Sequence, residues 1–293
     1  MSRLNSRAFQ RGLTLIELMI GMAIGLIVVG MVLSVYLTTL RTSGDTIKSS
    51  RLNQEIAAIM NIMVNDIRRA GYALASGPDW DNPDPVTGLI DPDDYDNLLE
   101  PSTNPFNQLG STALEVHNAA DDDQGSQGSG SCIVYAYDAN IDGDLDDNES
   151  FGFRLNATGD AIQMRQSIDS AAGDVSNSCD NANDTWATLN DEESVTITGL
   201  TFALLDSSCI NTLEPDEVDN DGAGGVDDWG ERDCYTIDPA DYRATYPADE
   251  SIPVVEVRNV LITLNAQLID DTDVSITLQQ HVTIRNNLVR LIP

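Results

Sequence analysis

From Leu13 to Leu40 the chain is predominantly apolar, and Glu17 is the only charged residue in the run. As a helix these 28 residues measure roughly 42 Å, long enough to span the ~30 Å hydrocarbon core of a bilayer with some tilt. Further on, the apolar positions take up helical spacing. Leu52, Ile56, Ile59, Met63, Ile67, Ala70 and Leu74 follow in steps of three and four, while Glu55, Asn61, Asn65 and Arg68 fall largely on other faces. Ser76-Gly77-Pro78 reads as a stop. The pattern predicts one helix of about 60 residues, apolar all round in its first half and amphipathic in its second.

Residues 78–131 are rich in Asp, Asn, Pro, Gly and Ser and read mostly as loop, with a short strand near 112–117. Further strands are predicted at 132–137, 151–155, 161–166 and 194–205. At the C-terminus Val260, Ile262, Leu264, Ala266 and Leu268 alternate, and so do Val274, Ile276, Leu278, Val282 and Ile284, with Gln280 in the same phase. The "IDDTD" between them is a turn. This predicts an antiparallel hairpin with one face buried on the amphipathic half of the helix. Val255 and Val257 are out of phase with Val260, which predicts a bulge near Arg258-Asn259.

Composition narrows the function. The 293 residues have room for one large or two small domains, and a hydrophobic content of 41% suffices for a core. With 48 acids against 15 bases the formal charge is −33, which argues against nucleic acid as a direct partner. Residues 1–12 carry Arg3, Arg7 and Arg11 and no acid. Arginines before the apolar run and acids after it place the N-terminus in the cytoplasm and the bulk of the chain outside. An ordinary secretory signal has a shorter apolar core and a small-residue cleavage site behind it, and neither is present. A plain signal anchor would explain everything except Glu17, because a carboxylate in an apolar helix is costly without a partner.

The string "RGLTLIELMIGMAIGL" that holds Glu17 resembles the type IV prepilin processing motif. The resemblance implies a cut by prepilin peptidase between Gly12 and Leu13 and methylation of the new N-terminus. Leu13 stands where many family members have Phe. It further implies that Glu17 pairs with the N-terminal amine of a neighbouring subunit, an exchange of two buried charges for a neutral pair once the neighbour docks. Pilins often carry a proline in the membrane half of the helix. This chain has none before Pro78, and Gly21, Gly25 and Gly30 are left to supply flexibility. The stretch "NQEIAAIMNIMVNDIRRAGYALAS" is similar to the minor pilins of the PilW type, with the J-class minor pseudopilin of type II secretion as a related alternative.

The fold implied is therefore α+β, the type IV pilin fold: a long N-terminal α-helix packed on an antiparallel β-sheet head. Its parts are a leader at 1–12, a transmembrane and filament-core half at 13–40, an amphipathic half at 41–77 and a periplasmic head at 78–293. The expected place is the inner membrane, then an extracellular pilus. Expected partners are prepilin peptidase, other minor and major pilins, the inner-membrane assembly platform and a tip adhesin. By this resemblance the chain is a structural subunit of a tip complex that primes assembly. A calcium-dependent adhesive head displayed on a filament is the rival reading.

Two acidic loops carry the sharpest chemistry. "DANIDGDLDDNE" places Asp138, Asn140, Asp142, Gly143, Leu145, Asp146 and Glu149 at positions 1, 3, 5, 6, 8, 9 and 12, the spacing of an EF-hand calcium loop. The carbonyl of Asp144 and a water near Asp146 would complete the shell of six to eight oxygens. Because the flanks read as strands, this would be a calcium loop outside an EF-hand; an acid-rich solvated turn is the plainer alternative. In "EVDNDGAGGVDD", Glu217, Asp219 and Asp221 keep the early spacing and Asp228 takes position 12, but Gly224 replaces the apolar anchor. Cys209 and Cys234 flank that loop. A bridge between them would contribute ~3 kcal/mol on the chain-entropy model, Cys132 and Cys179 would form the other pair, and two other connectivities stay open. His117 and His281 fall in or beside strands with no HExxH, GxSxG or P-loop string near them, so both read as structural, and nothing points to an enzyme.

Overall fold

The computed structural model describes residues 14–73, 104–125, 127–167, 178–180, 184–204, 207–219, 222–236 and 252–292. The chain forms two compact units, residues 1–51 and 52–293. A single helix, α1, runs from Leu15 to Ile67. Its stretch in the first unit is exposed along its whole apolar length and is, among the described residues, the one segment long and apolar enough to cross a membrane. There Ser34, Thr38, Thr39, Thr42 and Thr46 donate their hydroxyls back to carbonyls three or four residues earlier, which lets polar side chains sit in an apolar helix with their donors satisfied.

In the second unit the predicted stripe is the core. Leu52, Ile56, Ile59, Met63, Ile67 and Ala70 are all buried and share one apolar cluster with residues of two sheets. The helix ends at Ile67, earlier than the Ser-Gly-Pro stop suggests; Leu74 and that stop lie outside the described residues. The reason is Gly71. It sits at φ +72°, where a side chain is strained, and its amide donates to the Ala136 carbonyl at 2.8 Å, so the chain leaves the helix to bond with a strand.

Among the described residues twelve strands follow, antiparallel in every pairing: β1 (Glu115–His117), β2 (Ser129–Gly130), β3 (Cys132–Ala136), β4 (Ser150–Leu155), β5 (Ile162–Ser167), β6 (Thr185–Thr188), β7 (Val195–Ala203), β8 (Ser208–Asn211), β9 (Ile252–Val257), β10 (Asn259–Leu268), β11 (Ser275–Thr283) and β12 (Leu288–Ile292). A four-residue helix, α2 (Trp229–Arg232), lies between β8 and β9. The sheets are ordered β1-β3-β4-β5-β6, β11-β10-β7-β2 and β12-β9-β8. This is the α+β type IV pilin fold, a long N-terminal helix with antiparallel sheets.

The β10–β11 hairpin forms in the register that the alternation predicts, with Val260 opposite Val282 and Leu264 opposite Leu278. The inward residues of β10 are buried and join the α1 cluster. The predicted bulge at Arg258-Asn259 is instead a change of sheet: β9 pairs with β8 and β12, β10 with β7 and β11. Arg258 makes that junction. Its buried guanidinium donates to the Leu114 carbonyl at 3.1 Å and to Asn107 Oδ1 at 2.7 Å. Burial pulls its pKa down to about 10 against the opposing pull of Glu256. The register irregularity of this region lies at Asn265/Ala266 against β7.

Candidate functional site

Three places carry the expected chemistry. At the helix start, Thr14 and Glu17 form a reciprocal cap. Thr14 donates its amide (3.1 Å) and its hydroxyl (2.9 Å) to Glu17 Oε2, and the Glu17 amide donates to Thr14 Oγ1 at 3.3 Å. The sequence signal is Thr-Leu-Ile-Glu ahead of an apolar run, a capping box. It gives Glu17 a local partner that the charge argument alone did not find. Gly12 and Leu13 lie outside the described residues.

The 138–149 loop joins β3 to β4 and is shaped by its first and last acids. Asp138 is fully buried and accepts from the amides of Ile141 (2.6 Å), Asp142 (3.2 Å) and Gly143 (3.0 Å). Gly143 sits at φ +83°, the turn that position 6 requires. Glu149, equally buried, accepts from Ala139 (2.7 Å), Asn140 (3.2 Å) and Asp146 (3.0 Å). On the outer side Asn140 Nδ2 donates to Asp142 Oδ2 at 2.8 Å and to Asp146 Oδ2 at 3.1 Å, so these three side chains converge. The Asp144 amide donates to Asp142 Oδ1 at 2.9 Å, while the Asp144 residue is exposed. A half-turn of the Asn140 amide would break the bond its Oδ1 accepts from the Asp142 amide (3.0 Å) and turn that oxygen towards the two carboxylates, a hard-oxygen cluster suited to a cation.

The second loop is arranged differently from its expected ligand set. Asp228 is engaged as the N-cap of α2, accepting from Gly230 (2.7 Å) and Glu231 (3.3 Å), and Asp219 accepts from Gly222 at 2.7 Å in a turn. Asp221 lies outside the described residues. The acids that meet are Glu214, Asp227 and Glu231, whose oxygens lie within 4.8 Å of one another. Asp227 Oδ1 accepts from the amides of Asp216 (2.9 Å) and Glu217 (3.1 Å). Desolvation opposes the Asp227 carboxylate, yet these bonds and Arg232 hold its pKa below the usual value. Position counting missed this set because capping and turn geometry claim the acids at the counted positions.

Of the open connectivities the chain adopts Cys132–Cys179 and Cys209–Cys234, with Cα atoms 6.4 and 5.2 Å apart. The Cys179 backbone is also held by polar groups: its amide donates to Asp121 Oδ1 at 2.7 Å and its carbonyl accepts from Arg154 at 2.6 Å. His117 is buried in β1 between Glu115 and Asp121, while His281 is exposed on β11. Sequence reading also missed a polar cluster at the helix end. Asp66 accepts from the phenols of Tyr135 (2.6 Å) and Tyr137 (2.8 Å), and the Arg69 guanidinium lies 3.9 Å over the Tyr137 ring. Burial first, then the Asp66 charge, pushes both phenols well above the usual tyrosine pKa. Asp138 follows Tyr137 directly, and its amide donates to Tyr72 just past the helix, so the acidic loop is tied to the α1 end.

Residues 7–33 match the prokaryotic N-terminal methylation motif, which together with the fold makes this a pilin-like protein carrying an N-terminal apolar helix. Residues 45–284, most of the chain, match the family described as prepilin peptidase-dependent protein B, and the chain belongs to that family. No curated protein and no solved structure matches it.

Proposed function

We propose that the chain is a minor pilin of a type IV pilus, of the PilW type, acting in the complex that primes assembly at the filament tip. Prepilin peptidase removes residues 1–12 and methylates Leu13. The helix then holds the subunit in the inner membrane with the head in the periplasm until the assembly platform passes it to other minor and major pilins. The observation that carries this reading is the methylation motif over 7–33 at the start of a helix whose apolar run is exposed and holds a single acid, Glu17. Calcium occupies the 138–149 loop in this reading, supported by the convergence of Asn140, Asp142 and Asp146.

Two measurements test it. Mass analysis of the chain from assembled filaments should show loss of residues 1–12 and one methyl group on Leu13; an intact Met1 would sink the prepilin reading. Gene deletion should sharply lower the number of surface filaments. An unchanged filament count with lost protein secretion would instead assign the chain to a secretion pseudopilus.

A further inference from the structure

We propose that the loop closed by Cys209–Cys234 is a docking surface for a basic protein partner with an apolar centre. Four large apolar residues of this loop face solvent: Trp229 is 74% exposed, Val226 55%, Ile210 48% and Val218 41%. Single exposed apolar residues are ordinary, but four within one short disulfide-closed loop are not.

Hydrogen bonds fasten the segments that carry them. The strand pattern of β8 turns Cys209 and Asn211 inward and Ile210 outward, and Ile210 bridges to Asp233. The Asp233 amide donates to the Trp229 carbonyl at 3.0 Å, so the residue that bridges to Ile210 also closes the α2 turn that carries Trp229. Asn211 Nδ2 donates to the Glu231 carbonyl at 3.1 Å, so α2 is fastened to β8 through its buried side. Asp228 caps α2 from the other end. Asp227 accepts from the amides of Asp216 and Glu217 and thereby brings the chain just before Val218 beside Val226. Trp229 leaves most of its indole in water at the start of a capped turn, and covering it would remove a large apolar area from solvent.

Charge selects the occupant. Between the two cysteines the sequence has nine acids and one base, Arg232. A second copy of a chain at −33 would be repelled, and so would anionic lipid headgroups or nucleic acid. What fits is a protein face with aliphatic residues over the indole and lysines or arginines around them, the arrangement of an apolar anchor inside a polar rim. This goes beyond the minor-pilin reading and stands if that reading falls.

The test uses the full chain in phosphatidylcholine nanodiscs and three labelled synthetic helices of equal length: Lys/Leu amphipathic, Lys/Ser and Glu/Leu, with empty nanodiscs as blank. At physiological salt the Lys/Leu helix should bind about tenfold more tightly than Lys/Ser, and Glu/Leu should not bind. Trp229→Ser and, separately, Val226→Ser should remove most of that tenfold preference and leave Lys/Ser binding unchanged. Retained Cys209–Cys234 pairing by mass analysis checks that each variant is folded. Equal binding of Lys/Leu and Lys/Ser, an unchanged preference in both variants, or binding of Glu/Leu would overturn the proposal. So would reversible self-association of the wild-type chain that Trp229→Ser abolishes, because it would make a second copy the occupant.

Discussion

Thr14 and Glu17 satisfy one another at the start of α1, through two bonds from Thr14 to the carboxylate and one from the Glu17 amide to the threonine hydroxyl. An acid that reads as a liability in an apolar helix is thus already solvated by its own chain. In the proposed assembly a neighbour's amine would have to share or replace that cap, so the cap sets the state from which docking starts.

Thr14→Ala should fray the first turn, at a cost of about 1 kcal/mol for a lost N-cap. Amide hydrogen exchange at residues 15–20 of the full chain in nanodiscs should rise by roughly fivefold, and Thr14→Ser should restore protection. Unchanged exchange in Thr14→Ala would show that the cap contributes nothing to the helix start.

Asp66→Ala should be among the most damaging substitutions in the head. It leaves the hydroxyls of Tyr135 and Tyr137 without their shared acceptor, one of them in a fully buried ring. A loss of about 3 kcal/mol is expected in denaturant unfolding, since stranded buried donors cost more than the bonds are worth. Tyr137→Phe should cost less, because it removes the donor together with its need.

His117 should make stability depend on pH. Burial opposes its charge, but the Glu115 and Asp121 carboxylates facing its two nitrogens outweigh burial, and its pKa is raised above 6.5. A raised folded pKa gives stability that is fully present below the unfolded value and is lost as pH rises through the folded one. Melting temperature should therefore fall as pH is raised from about 6.5 through the folded pKa, and His117→Gln should flatten that part of the profile. An equally steep fall in His117→Gln would exclude this histidine as the cause.

Calcium should raise the melting temperature relative to chelator, by an amount set by RT ln(1 + [Ca²⁺]/Kd), about 2.7 kcal/mol at a hundred times Kd. The loop geometry divides its acids into two kinds. Asp142→Ala with Asp146→Ala should abolish the calcium increment and cost little in chelator, because those side chains converge at the surface. Asp138→Ala should destabilise the head in both conditions, because it unbinds three loop amides. Coincident wild-type curves with and without calcium would reduce the loop to a braced acidic turn.

The long helix, its two kinds of surface and the β10–β11 hairpin were legible in the chain because each depends on periodicity or on a run, and both are local. The same holds for the acidic loop between β3 and β4: twelve spaced residues dictate a turn whose first and last acids bond its own amides. What lay beyond the sequence was decided by contacts between distant residues. The break at Arg258 looks like a phase slip in one strand, and only the Leu114 carbonyl and the Asn107 side chain, more than a hundred residues upstream, make it a change of sheet. The helix stops at Ile67, short of the Ser-Gly-Pro signal; Gly71 is a local stop in itself, but its amide's partner, the Ala136 carbonyl, comes from a distant strand. Asp66 looks like one more exposed acid until Tyr135 and Tyr137 arrive across the fold. In the loop between Cys209 and Cys234 spacing counted acids, but capping and turn bonds had first claim on them. The meeting of Glu214, Asp227 and Glu231 therefore belongs to the tertiary structure: a carboxylate goes where buried amides need an acceptor, and that need is known only once the backbone is folded.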